Sequence, residues 1–183
     1  MKLYKDFRNF VDEWVEFCVS LENEGLTKQA RGKLKGKRFE EIFLELLRKK
    51  IKKEYKILPQ ATVKGLGYIF DFVIVTKKVK IVNINPKDII AVIEVKSHGI
   101  YGYENINNLK DEILALQNLN PKIRYFYITY RETDTYDNQV RLRLGSLVNC
   151  YYRLTDSGDG VQLEPKRIFP EAWDRLLSDL KKL

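Results

Sequence analysis

A chain of 183 residues, 44% apolar and 32% charged, is long enough for one domain with a sizeable core. No run of it approaches the roughly 20 apolar residues of a membrane helix. The net charge of +8 is localised: residues 28 to 56 hold 12 lysines and arginines against 4 acids, while the remainder balances at 21 against 21. Such a segment points to a polyanionic partner, nucleic acid first, with a solvated lysine-rich helix face as the plain alternative.

The amphipathic, partly acidic start MKLYKDFRNFVDEW does not read as a secretory signal. Residues 4 to 23 place Phe7, Phe10, Val11, Trp14, Cys18 and Leu21 at helical spacing. Residues 26 to 36 (LTKQARGKLKG) are basic and interrupted by two glycines, which leaves loop and weak helix both open. A helix is expected from about Lys37 to Lys56, its stripe formed by Phe39, Ile42, Phe43, Leu46, Leu47 and Ile51. A short strand at Ala61 to Lys64, a turn at GLG (65–67) and a strand at YIFDFVIV (68–75) follow. The connection 76–88 has room for a further short strand.

IIAVIEVK (89–96) is apolar on both faces, as a covered central strand is. Next come a helix at about Glu104 to Leu119, a strand at Tyr125 to Tyr130, and a hairpin made of Val140 to Leu144 and Leu147 to Leu154. Pro170 opens a last helix with Trp173, Leu176, Leu177 and Leu180 facing inward. The order α-α-β-β-β-α-β-β-β-α predicts a mixed α/β (α+β) fold, one central sheet flanked by helices in a single domain spanning residues 1 to 183. The two cysteines, Cys18 and Cys150, have no metal-binding spacing and apolar surroundings. They read as reduced core residues of a cytoplasmic protein.

AVIEVKSHG (91–99) poses the chemical question. Residues two apart on a strand share a face, so Glu94 and Lys96 project together from an apolar strand. Buried charge is expensive unless paired, hydrogen-bonded or metal-bound. The pattern acid-x-Lys occurs at four places in this lysine-rich chain, and only Glu94–Lys96 ends a strongly apolar strand. Asp71 sits in the middle of another. If the two strands are neighbours, Asp71 and Glu94 converge, and a divalent cation would relieve their repulsion. Oxygen ligands alone suit Mg²⁺ or Mn²⁺. Lys96 could then orient or deprotonate a water, or stabilise charge on a phosphorane-like transition state. The plain alternative is a buried carboxylate–lysine ion pair.

On these residues, GYIFD with Asp71 and IEVK with Glu94 and Lys96, the sequence resembles the PD-(D/E)XK nuclease superfamily. The resemblance covers roughly residues 37 to 130. It implies a restriction-endonuclease-like αβββαβ core, with an N-terminal helical extension (1–36) and a C-terminal hairpin plus helix (131–183) outside it. It further implies that Asp71, Glu94 and the carbonyl of Val95 bind Mg²⁺, for which Mn²⁺ substitutes, and that Lys96 assists the attacking water in phosphodiester hydrolysis. Asp88, in PKD (86–88), is a rival for the aspartate. It stands six residues before Glu94, roughly 20 Å along one strand, too far to share a metal.

The family often adds a glutamate from its first core helix. At about 100° per residue from Phe39, Glu40 falls near 100°, at the edge of the stripe, and Glu41 near 200°, towards solvent. Glu40 is therefore the expected fourth member of the site. Lys33, Lys35, Lys37 and Arg38, with Arg48 to Lys53, are candidates for phosphate contacts. His98 and Tyr101, just past the strand, could touch phosphate or a base. The resulting expectation is a Mg²⁺-dependent DNA nuclease. A non-catalytic nucleic-acid-binding module on the same fold, or an interaction domain with a structural ion pair, remains open, as does a homodimer for double-strand cutting.

Overall fold

The computed structural model describes residues 2–79, 84–97, 103–132, 134–145, 147–148, 150–156 and 167–183. Helices α1 (Lys2–Glu22) and α2 (Lys28–Lys50) precede strands β1 (Tyr55–Thr62), β2 (Ile69–Thr76) and β3 (Ile89–Lys96). Helix α3 (Tyr103–Leu119), strand β4 (Arg124–Glu132), helix α4 (Asp134–Leu144), strand β5 (Cys150–Asp156) and helix α5 (Pro170–Lys181) follow. The strands form one sheet in the order β1-β2-β3-β4-β5. The first three make an antiparallel meander. The last two join in parallel through the crossover helices α3 and α4, as parallel pairing requires.

Each face of the sheet has its own apolar layer. Phe72, Ile74, Ile93, Val95 and Phe126 face α1, α2 and α5 through Phe10, Trp14, Phe39, Phe43, Trp173 and Leu177. Val73, Val92, Tyr125 and Tyr127 face α3 and α4 through Ile106, Ile113, Leu116, Val140 and Leu144. The stripes expected on α1, α3 and α5 are buried throughout, and on α2 Phe39, Ile42, Phe43 and Leu47 are. Cys18 is buried; the side chain of Cys150 lies outside the described residues.

One open expectation is decided and two are corrected. The basic segment is helix, because α2 runs unbroken from Lys28. Thr27 caps it, its hydroxyl oxygen accepting the Ala30 N–H at 3.2 Å. Glu22 of α1 then takes both Arg31 and Lys35, and Glu13 takes Arg38 at 2.7 Å. Gly32 and Gly36 each cost this helix about 1 kcal/mol relative to alanine. A Cβ on either would meet nothing within 4 Å, so packing does not call for glycine there.

The same helix stops six residues early. Tyr55 is already in β1, and Pro59 lies inside that strand. Proline reads as a strand breaker, yet β1 is the sheet's edge, where a missing N–H is tolerated.

The expected late hairpin is instead α4 followed by β5. Val140, Leu142 and Leu144 alternate like a strand face. In the structure Val140 and Leu144, four apart, are buried, while Leu142 is 80% exposed, which is helical periodicity. Strand β5 consequently pairs in parallel with β4, in the register Tyr127 to Tyr151.

Candidate active site

Phe72 of β2 pairs with Ile93 of β3, so Asp71 and Glu94 are the next residues on adjacent strands. Both are buried, at 9% and 7% exposure. Alternation turns them away from Phe72 and Ile93, towards the face covered by α3. Asp71 Oδ2 accepts the Val95 N–H at 2.9 Å. Lys96 donates its ammonium to Glu94 Oε1 and lies 3.7 Å from Asp71 Oδ2. The three strand residues singled out from sequence thus meet.

Glu40 reaches the same place by another route. Helix α2 covers the opposite face of the sheet, and Glu40 joins past the edge strand. Gln60 of β1 donates its amide to Glu40 Oε2 at 2.8 Å and to Asp71 Oδ1 at 3.4 Å. Gln60 holds a φ of 47°, a left-handed conformation that costs a non-glycine residue about 1–2 kcal/mol. Glu41, one residue on, is exposed and lies 3.4 Å from Arg38. The helix phase expected for the two glutamates is therefore observed.

Electrostatically the site is short of positive charge. Burial, with Asp71 opposite, pushes the Glu94 carboxyl up to about 8. Partial burial and Asp71 also raise Glu40. On α3, Glu112 is raised by burial and by Asp71, against the pull of Lys96. Burial acts to depress Lys96, but Glu94 and then Asp71 outweigh it and hold the ammonium above its ordinary value. Glu94 Oε2 is buried with no hydrogen-bond partner among the described residues.

These features fit a hard cation. The donors are oxygens, one carboxylate oxygen is unsatisfied, and acids outnumber the single ammonium among them. A strand residue turns its N–H and C=O to the same side, so the Val95 carbonyl also faces β2. Among the described residues no group of three or more His, Cys, Asp or Glu could hold a metal ion. The fit is thus with a metal that takes two carboxylates and fills its shell with carbonyl, water and substrate oxygens, as Mg²⁺ does.

Other expected residues fall elsewhere. Asp88 is exposed in a 3-10 turn (Pro86–Asp88) at the opposite end of β3 from Glu94. His98 and Tyr101 lie outside the described residues. Lys35 and Arg38 are engaged with α1, whereas Lys33 and Lys37 line a groove of about 540 Å³ beside Glu40 and Gln60.

Two neighbours escaped the sequence reading. Gln60 carries no signal, since a positive φ at glutamine follows from the fold around it. Glu112 carried one: counted from Ile106 at about 100° per residue, it falls near 240°, beside Leu116 near 280°. The wheel that separated Glu40 from Glu41 marks it as a rim residue, without saying which face of the sheet α3 covers.

No family model matches the chain, and no curated protein does. Solved structures do. The chain is similar to NucC of P. aeruginosa ATCC27853 in its cAAA-bound form, with a TM-score of 0.59 and 10% identity over 96% of this chain and 89% of that one. NucC of E. coli MS115-1, also cAAA-bound, gives 0.57 and 12% over 96% and 88%. The restriction endonuclease PspGI in complex with substrate DNA gives 0.54 and 16% over 90% and 70%. At such identities the likeness concerns the fold. The fold is restriction-endonuclease-like, as the resemblance in sequence implied.

Proposed function

We propose that the chain is a metal-dependent nuclease hydrolysing phosphodiester bonds in DNA. The observation that carries this reading is the convergence of Asp71, Glu94 and Lys96 at one end of β2 and β3, with Glu40 joined through Gln60. A binding module has no use for buried carboxylates that repel phosphate. Its ion pairs would also be expected to balance, and here acids exceed the ammonium they surround.

In this reading Asp71, Glu94 and the Val95 carbonyl hold Mg²⁺, with Mn²⁺ as a substitute, and the ion supplies Lewis-acid charge neutralisation. The chain's own groups do the rest. Lys96 orients the attacking water and stabilises negative charge developing on phosphorus. The water oxygen bonds to phosphorus as one P–O ester bond breaks, and the departing oxygen takes up a proton. Glu40, fixed by the Gln60 amide, orients solvent at the edge of the site. The Val95 N–H holds Asp71 in place, so the carboxylate is positioned before substrate arrives. DNA is the proposed substrate because the basic excess lies in α2, which borders the site, and because PspGI, on the same fold, is seen with its substrate DNA.

The test incubates purified protein with supercoiled, circular single-stranded and branched DNA, in Mg²⁺, Mn²⁺ or EDTA. Cleavage is expected with either metal and not in EDTA. Glu94→Gln and Lys96→Ala should each lower the rate at least about a hundredfold, the scale for removing one preorganised electrostatic group, without loss of folded structure by circular dichroism. Equal cleavage by either variant, or in EDTA, rejects the reading.

A further inference from the structure

Helix α2 carries its basic residues on two sides. Arg31, Lys35 and Arg38 turn to α1 and are matched by Glu22 and Glu13. Lys33 and Lys37 make no ion pair among the described residues. They stand four residues apart on a helix, where like charges repel, and both line the groove between α2 and β1. Gly32 and Gly36 line the same groove. Each weakens the helix, and neither is required by packing. Two departures from helix stability, unmatched charge and missing side chains, therefore coincide on one wall. Leu44 adds an apolar patch to the α2 wall, Pro59 and Phe72 form the apolar wall opposite, and the groove runs on past Glu41 to Glu40 and Gln60, which tie it to Asp71.

We infer that this groove is the track along which one strand of the substrate enters the site, its sugar–phosphate backbone against α2. The inference rests on the nuclease reading and adds the path and the form of the substrate. Lys33 and Lys37 lie about 6 Å apart along the helix axis, a separation suited to neighbouring phosphates of an extended strand. The glycines let that backbone approach the helix closely. The apolar wall takes the less polar faces of sugar and base. Two lysines in one file facing one apolar wall contact a single strand, so DNA that is single-stranded next to the cut is the favoured substrate. The remaining basic residues of α2, held by α1 or lying at its far end, take no part in this contact.

The test uses the full chain and a fluorescein-labelled oligothymidylate. Anisotropy titrations at several salt concentrations in EDTA report binding, and steady-state cleavage of the same oligonucleotide in Mg²⁺ reports KM and kcat. Lys33→Ala/Lys37→Ala should reduce the slope of log affinity against log salt by about 1.4, two phosphate contacts on a single strand. It should raise KM at least about tenfold while leaving kcat within about twofold. Lys49→Ala/Lys53→Ala, which removes equal charge at the far end of α2 and in the turn that follows it, should change neither.

Gly36→Leu should weaken binding with all charges intact, while Gly36→Ala should raise the melting temperature. That pair separates a filled groove from a damaged helix. Unchanged slope and KM in the lysine variant, beside a wild-type chain that cleaves, overturn the groove and leave the nuclease reading standing. An equal loss in Lys49→Ala/Lys53→Ala also overturns it, since charge alone would then be at work. A wild-type chain that neither binds nor cleaves overturns both.

Discussion

At β5 the buried guanidinium of Arg153 lies 2.9 Å from Asp156 and 3.9 Å from Asp137. Arg141 covers Asp137 at 2.9 Å and Arg167 covers Asp156 at 2.7 Å, so each carboxylate has two cations. Where β2 meets β3 the balance is reversed. Lys96 alone stands among Asp71 and Glu94, with Glu40 and Glu112 close enough to be felt. Both clusters are built into the same sheet, and both place charge where charge is expensive. The first is matched in charge by the chain itself, three guanidiniums to two carboxylates, although Asp137 Oδ1 is also buried without a hydrogen-bond partner among the described residues. The second is left with an unsatisfied oxygen on Glu94 and a strained backbone at Gln60. A sheet that closes one cluster and leaves the other short of cations shows that the imbalance is no general failure of packing. Unresolved features of this kind concentrate at functional sites.

The contrast is broken most directly by removing its cations. Arg153→Met leaves buried Asp137 and half-buried Asp156 with fewer partners and should lower stability by about 3–5 kcal/mol, the usual penalty for breaking a buried pair. Urea unfolding measures it. A loss below about 1 kcal/mol would mean that the β5 network holds the fold no better than the site does.

Carboxylate removal at the site should act in the other direction. Asp71→Asn keeps an acceptor for the Val95 N–H while ending the repulsion with Glu94. The metal-free chain should gain about 1 kcal/mol. Wild-type protein should gain about 2.7 kcal/mol from Mg²⁺ at a hundred times its dissociation constant, and the variant should gain none. Thermal melts with and without Mg²⁺ decide it, and a metal response that survives in Asp71→Asn removes this aspartate from the ligand set.

A finer cut separates the two glutamates of α2. Glu40→Gln should slow cleavage about 10–100-fold, as outer-sphere partners of metal sites do, with stability preserved. Glu41→Gln, exposed beside Arg38, should shift stability by less than about 0.5 kcal/mol and leave the rate alone. If the second variant is the damaging one, the helix phase that brings Glu40 to the site has been misidentified.

A last cut reads the pH dependence of stability. Glu94 rises from an ordinary 4.5 to about 8 on folding, so between those values the folded state holds a proton that the unfolded state has released. Stability should therefore fall as pH rises through this window, by at most about 1.4 kcal/mol per pH unit for one proton. Lys96, raised from an already high value, adds nothing to the slope there. Glu94→Gln should flatten the slope, and urea midpoints at pH 5, 6.5 and 8 measure it. A slope that persists in Glu94→Gln belongs to another group.

Sequence by itself determined the elements whose apolar period is unambiguous, namely α1, α3, α5 and the doubly covered strands β2 and β3. It also marked the acids and the lysine on those two strands, because a charge inside an apolar run is visible without a fold. It placed Glu40 rather than Glu41 at the apolar edge of α2, since helical phase is a local property. Tertiary structure decided what depends on neighbours distant in the chain. The basic segment became helix because α1 supplies Glu13 and Glu22 to its cations and aromatic rings to its apolar face. VRLRL became helix because only Val140 and Leu144 find a layer to enter. Pro59 was kept in a strand because that strand lies at the sheet's edge. Gln60 and Glu112 joined the site because β1 and α3 pack where they do, and no local pattern states which strand will be an edge or which helix will cover a face.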